Sequence, residues 1–157
     1  MRVLLLCLAT LAATPVLAED HDHHLAEAEG LRILHAWTPA AAKGADALIY
    51  MEIENTSATE AMLTGGEALG RALDLVGFSY GAAGESWAVL PGLPVPQGGE
   101  VDLMPKVLAL RLADLPEALA EGEELEIEVE IGGQHVQTHA EITAANAGAH
   151  SHAGHNH

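Results

Sequence analysis

Leu125-Glu126-Ile127-Glu128-Val129-Glu130-Ile131 alternates apolar and acidic side chains for seven residues without a break. A period of two is the repeat of a β-strand, so Leu125, Ile127, Val129 and Ile131 face a core while three glutamates face water. A helix turns about 100° per residue and would scatter the same side chains around its circumference. Gly132-Gly133 follows, a pair able to take the left-handed angles of a two-residue hairpin turn. Gln134–Ile142 is therefore expected to return alongside as a partner strand. Any fold for this chain must accommodate an acidic-faced hairpin near its end.

Weaker strand signals precede it at Leu31–Trp37, Ala47–Glu54, Ala72–Phe78, Ser86–Leu90, Glu100–Leu103 and Val107–Leu112. Turn residues separate them: Gly65-Gly66, Pro91-Gly92, Pro94, Pro96 and Gly98-Gly99. Pro116–Glu121 reads as a helical turn. Short strands at this spacing predict an all-β protein, an antiparallel Greek-key β-sandwich. With 49% apolar residues in 157, there is enough to build one core, and at 3% aromatic it is made of Leu, Val, Ile and Ala.

The folded domain is expected over residues 31–142. Residues 1–18 read as a secretory signal peptide: Arg2, an apolar run from Val3 to Ala13, and Val16-Leu17-Ala18 before a cleavage point after about Ala18. That run is too short to span a membrane. Cys7 is the single cysteine and leaves with it; Leu6 before it does not suit lipoprotein processing. The expected location is the bacterial periplasm. Residues 19–30 and 143–157 read as flexible His-rich tails, too polar or too simple in composition to pack.

Charge narrows the partners. There are 23 acidic residues against 6 basic, a net charge of −17, which repels phosphate backbones and anionic membranes and attracts cations. Seven of the ten histidines lie in the two tails: His21, His23 and His24 at one end, His150, His152, His155 and His157 at the other. Imidazole binds Cu(II), Zn(II) and Ni(II), and the neighbouring carboxylates concentrate cations. If cleavage follows Ala18, Glu19-Asp20-His21 offers an amine, two amides and an imidazole for square-planar Cu(II). His35, His135 and His139 remain inside the domain, and they would approach one another if the first and last strands are neighbours. Met51, Met62 and Met104 read as core filler. No nucleophile elbow, phosphate loop or zinc-protease motif is present, so no enzyme is expected.

Several segments together resemble the periplasmic copper chaperones of the PCu(A)C family. They are Ala36-Trp37-Thr38-Pro39, the strand Ala47 to Asn55, Gly70-Arg71-Ala72, Val95 to Val101 with Leu103-Met104-Pro105, and Leu115 to Gly122. The resemblance implies a cupredoxin-like β-sandwich over residues 31–142. It also implies a copper(I) site of two His and two Met on adjacent strands, and delivery of copper to a respiratory oxidase assembly pathway. This chain departs from that pattern at the ligands. Val76-Gly77 follows Asp74-Leu75 where a His is expected, and Ala109-Leu110-Arg111 stands where His-x-Met is expected. The expectation is a divergent member that lacks the usual site, whose core folds without metal, and which captures or delivers copper, as Cu(II) or Cu(I), through its His-rich ends to a periplasmic copper-accepting protein. Zinc buffering is one alternative. An acidic β-sandwich that binds a basic partner without any metal is the other.

Overall fold

The protein is described by a computed structural model over residues 25–148. Among the described residues there are eleven strands and no helix: β1 (Leu25–Ala28), β2 (Leu31–Pro39), β3 (Ala47–Asn55), β4 (Ala61–Ala68), β5 (Arg71–Gly81), β6 (Gly84–Val89), β7 (Leu93–Val95), β8 (Glu100–Leu103), β9 (Leu108–Leu112), β10 (Glu124–Ile131) and β11 (Gln134–Thr143). The all-β expectation holds.

Strand pairing runs β2-β11-β10-β4-β5-β9-β3, and β3 pairs again with β2, so the sandwich closes into a ring. β1 pairs with β2, β6 with β5 and β7 with β4, while β8 continues β3 past the end of β9. All these pairings are antiparallel except one: β11 lies parallel to β2 through Glu141↔Trp37, Ile142↔Thr38 and Thr143↔Pro39. The alternation read in β10 holds, with Leu125, Ile127, Val129 and Ile131 all buried. They pack with Ile33, Ile49, Ile53, Leu63, Leu75 and Leu110 in an aliphatic core inside the ring. Area burial of this kind supplies about 1.5–3 kcal/mol per large aliphatic side chain before entropy is set against it.

Three local expectations differ from the structure. Leu25–Ala28, expected within a polar tail, pairs with Leu31–Leu34. Glu29 (φ 48°) and Gly30 (φ 84°) both take left-handed angles between these strands, as a two-residue hairpin turn of the primed type requires. Gly65-Gly66, expected to separate strands, lies inside β4, between β10 and β5. Pro116–Glu121 is not helical; Leu119 bridges to Ala41 through two backbone hydrogen bonds of 3.2 and 2.8 Å, and buried Leu115 and Leu119 pin the segment to the core.

Candidate metal-binding face

Residues on β3 alternate between the two sides of the sheet. Ala47, Ile49, Met51 and Ile53 belong to the core, which leaves Leu48, Tyr50, Glu52 and Glu54 on the outer face. Trp37 of β2 stands opposite Tyr50, their rings 4.8 Å apart at 42°. Val76 stands opposite Ala109, and both pack with Trp37 and Tyr50 in a cluster separate from the core. Further along β5, on the same side as Val76, Phe78 faces Trp87 edge to face at 5.3 Å, and Tyr80 faces Glu85. The chain's two Trp, two Tyr and one Phe therefore all lie on this one outer face. Burial pushes the Tyr50 phenol above its ordinary pKa.

The positions at which the family resemblance implies copper ligands do meet here. Val76 and Ala109 are direct cross-strand partners. Arg111 pairs with Asp74, its Nη2 donating to Oδ2 at 3.0 Å. Two apolar side chains and a guanidinium bound to a carboxylate offer no soft donor at these positions. Ala147, beyond the last strand, packs against the same aromatic cluster.

A cleft of about 330 Å³ opens beside the cluster, lined by His35, Trp37, Met51, Glu52, Asp102, Leu103 and Met104. Its origin is local. β2 slips register against β3 between Leu34 and Trp37, with His35 at φ 51°. On the other side of β3, β8 ends at Leu103 and β9 begins only at Leu108. Both neighbours of β3 are thus interrupted around Tyr50 and Met51, and the backbone opens there.

Acidic side chains border this cleft. Glu52 and Asp102 are cross-strand partners, as are Glu54 and Glu100. One carboxylate oxygen from each of Glu52, Glu54 and Glu100 lies within 4.8 Å of the other two. Arg32 pairs with Glu54 and, at 3.8 Å, with Glu27. Desolvation, followed by repulsion from Asp102, Glu54 and Glu100, raises the Glu52 carboxyl above its ordinary pKa, and Arg32 partly opposes this.

Of the residues singled out from sequence, His21, His23, His24, His150, His152, His155 and His157 lie outside the described residues. His35 lines the cleft. His139 is exposed on β11, which pairs with β2 from Glu141↔Trp37 onward, so His139 and His35 each precede that pair by two residues on neighbouring strands. His135 is four residues further back, roughly 13 Å along the strand. There its Nδ1 meets Glu128 Oε1 at 2.8 Å. Among the described residues, the three-ligand group that converges is the Glu52, Glu54 and Glu100 set, so the three strand histidines do not form one. The methionines divide as well: Met51 is buried core, whereas Met62 and Met104 are both 43% exposed and fill no core. Sequence reading missed the meeting of His35 with Met51 and Met104, since β2, β3 and the β8–β9 break carry them. The Met104-Pro105 break after a four-residue strand was the one local signal.

No curated protein sequence matches the chain. Among solved structures, the fold is similar to the copper-bound PCuAC domain from PmoF2 (TM-score 0.63, 20% identity, 77% of this chain and 98% of that one). It is also similar to the apo PCuAC domain from PmoF1 (TM-score 0.63, 23% identity, 77% and 99%). Among the described residues no helix is long and apolar enough to cross a membrane. The LpqE-like lipoprotein family model matches residues 31–142, nearly the whole ring of strands, and the chain belongs to the LpqE-like family.

Proposed function

We propose that this is an exported copper-binding protein that captures copper on its His-rich ends and passes it to a copper-accepting protein. The observation that carries this reading is the edge of β2. Leu25, the first residue of β1, sits opposite Leu34, and Thr143, the last of β11, sits opposite Pro39 on the same strand. Five residues of strand, about 16 Å, separate the points where the two His-rich ends attach. His24 immediately precedes Leu25, and His150 follows Ala147 by three residues, a reach of about 10 Å from the aromatic face. The two His-rich segments therefore attach along one strand of the domain, and such tethering raises the effective concentration of each for an ion held by the other. The likeness to a copper-bound PCuAC domain supports copper as the metal, and the order of stability for nitrogen donors favours Cu(II) over Zn(II).

The test compares Cu(II) titration of a chain beginning at Glu19 with two variants: one ending at Ala147, and one with His21, His23 and His24 replaced by Ala. Each variant is expected to bind at least tenfold more weakly or to lose an equivalent. Imidazole with a reference pKa of about 6.5 must be neutral to coordinate, so affinity should fall as pH drops below about 6. Undiminished binding in both variants, or affinity flat from pH 7 to 5, overturns the reading.

A further inference from the structure

We infer that the cleft between β2, β3 and the β8–β9 break is a second copper site, selective for Cu(I), with the imidazole of His35 and the thioethers of Met51 and Met104 as its donors. The inference rests on the copper-handling reading and adds a separate place and oxidation state to it. It does not use the Val76, Ala109 and Arg111 positions.

Three observations converge. The first is the donor set: one borderline imidazole and two soft thioethers line one opening, and Cu(I) is held by such neutral donors at low coordination number. Cu(II) and Zn(II) gain little from thioether sulfur, so the cleft and the tails sort the two oxidation states. The second is placement. Met51 is 3% exposed and Met104 43%, so of the two methionines lining the cleft one belongs to its buried side and the other to its open side. An exposed thioether in this position adds nothing to the core.

The third is backbone geometry. His35 adopts φ 51° inside a strand, a left-handed angle that costs a non-glycine residue about 1–2 kcal/mol. The register slip it produces turns this side chain out of the regular alternation of β2 and into the cleft. Glu29, Leu69, Lys106 and Asp114 take similar angles, but His35 does so within a strand and beside the two methionines, and that combination motivates the assignment. Glu52 and Asp102 at the rim supply a negative field for a monovalent cation without competing as soft ligands.

The experiment exploits sulfur. A chain beginning at Glu19 contains no cysteine, and its methionines are Met51, Met62 and Met104. Both tails lack sulfur, so any copper–sulfur scattering in X-ray absorption must come from those three. With one equivalent of Cu(I) under anaerobic conditions, the chain is expected to show copper–sulfur scattering. In competition with a Cu(I) chelator, Met104→Leu and Met51→Leu should each weaken binding at least tenfold and reduce the sulfur scattering, and the double variant should lose it. Leu for Met conserves volume, so both variants are expected to fold, which circular dichroism checks. Met62→Leu, beside Gly92 and outside the cleft, should change nothing. Nitrogen- and oxygen-only coordination in the parent chain would overturn the cleft and leave the tails standing. Sulfur scattering undiminished in both single variants or surviving in the double variant, or lost with Met62→Leu, would also overturn it. Absence of copper binding in either oxidation state would remove both readings.

Discussion

Gly66→Ala is expected to destabilise the domain by at least about 3 kcal/mol, lowering its melting temperature by more than 10 °C. β4 passes between β10 and β5, and Gly66 stands opposite Val129 on one side and Leu73 on the other. A Cβ at this position would lie 2.1 Å from the Glu128 carbonyl oxygen and 3.1 Å from its carbon. The obstacle is backbone within a paired strand, so no side-chain rotation relieves it. β10 would have to withdraw, opening the ladder beside Ile127 and Ile131. Gly65 shows the same constraint on the other side, where a Cβ would meet the Leu73 carbonyl oxygen at 2.4 Å. Gly70→Ala is the control. Nothing lies within 4 Å of it, and its φ of 68° exposes Ala only to the backbone cost of about 1 kcal/mol. Thermal melts of both variants test the claim; a Gly66→Ala melt within 3 °C of the parent would refute it.

Asn55→Asp should be costlier at neutral pH than in mild acid, about 4 kcal/mol against about 2. Asn55 is fully buried, and its amide is spent in full. Nδ2 donates to the Thr59 carbonyl at 2.8 Å and the Val95 carbonyl at 2.9 Å, while Oδ1 accepts from Ser57 N at 3.0 Å and Ser57 Oγ at 2.6 Å. A carboxylate has the same shape but no donor, so two carbonyl oxygens would face a buried negative charge. Burial and those carbonyls raise the pKa of the new acid in the folded state. The folded state then binds the proton more readily than the unfolded chain, so stability returns as pH falls through the raised value. Urea denaturation of variant and parent at pH 7 and pH 4 reads the difference directly. An equal loss at both values would mean that packing, not charge and donors, sets the role of Asn55.

Much of the fold was legible because most strands declare themselves by alternation. β8 falls on Glu100–Leu103 as expected, and β3, β5, β6, β9, β10 and β11 differ from expectation by a few residues at their ends. β4 was hidden because glycine lowers strand propensity locally, while here it is required by the backbone carbonyls of neighbouring strands, at Gly66 that of Glu128, far along the chain. β1 was hidden because four residues of mixed polarity carry too little pattern, and its partner and turn supply what the segment lacks. The cleft was less legible still. His35 looked like one of three strand histidines, and its left-handed φ, set by the slip of β2 on β3, sent it to the opposite company. Met104 carried no sign of exposure in a sequence whose other apolar residues mostly build the core. Soft donors brought together by a strand break leave no spacing to read.

The parallel contact of β2 with β11 sets an order of events. Trp37 and Glu141 are roughly 100 residues apart in the chain, yet they seal the ring together. A contact so distant in sequence forms late and slowly, because its loop entropy must be met before the pairing returns anything. Until residues near Glu141 arrive, β2 can join only β1 and β3, and the buried face of β10 has no finished core to enter. A chain threaded across a membrane from its N-terminus would therefore reach the far side open, and would fold there only when nearly all of it had passed. The attachment points of the two ends, at Leu25 and Thr143, draw together in that same closing step, so they become neighbours only once the ring is complete.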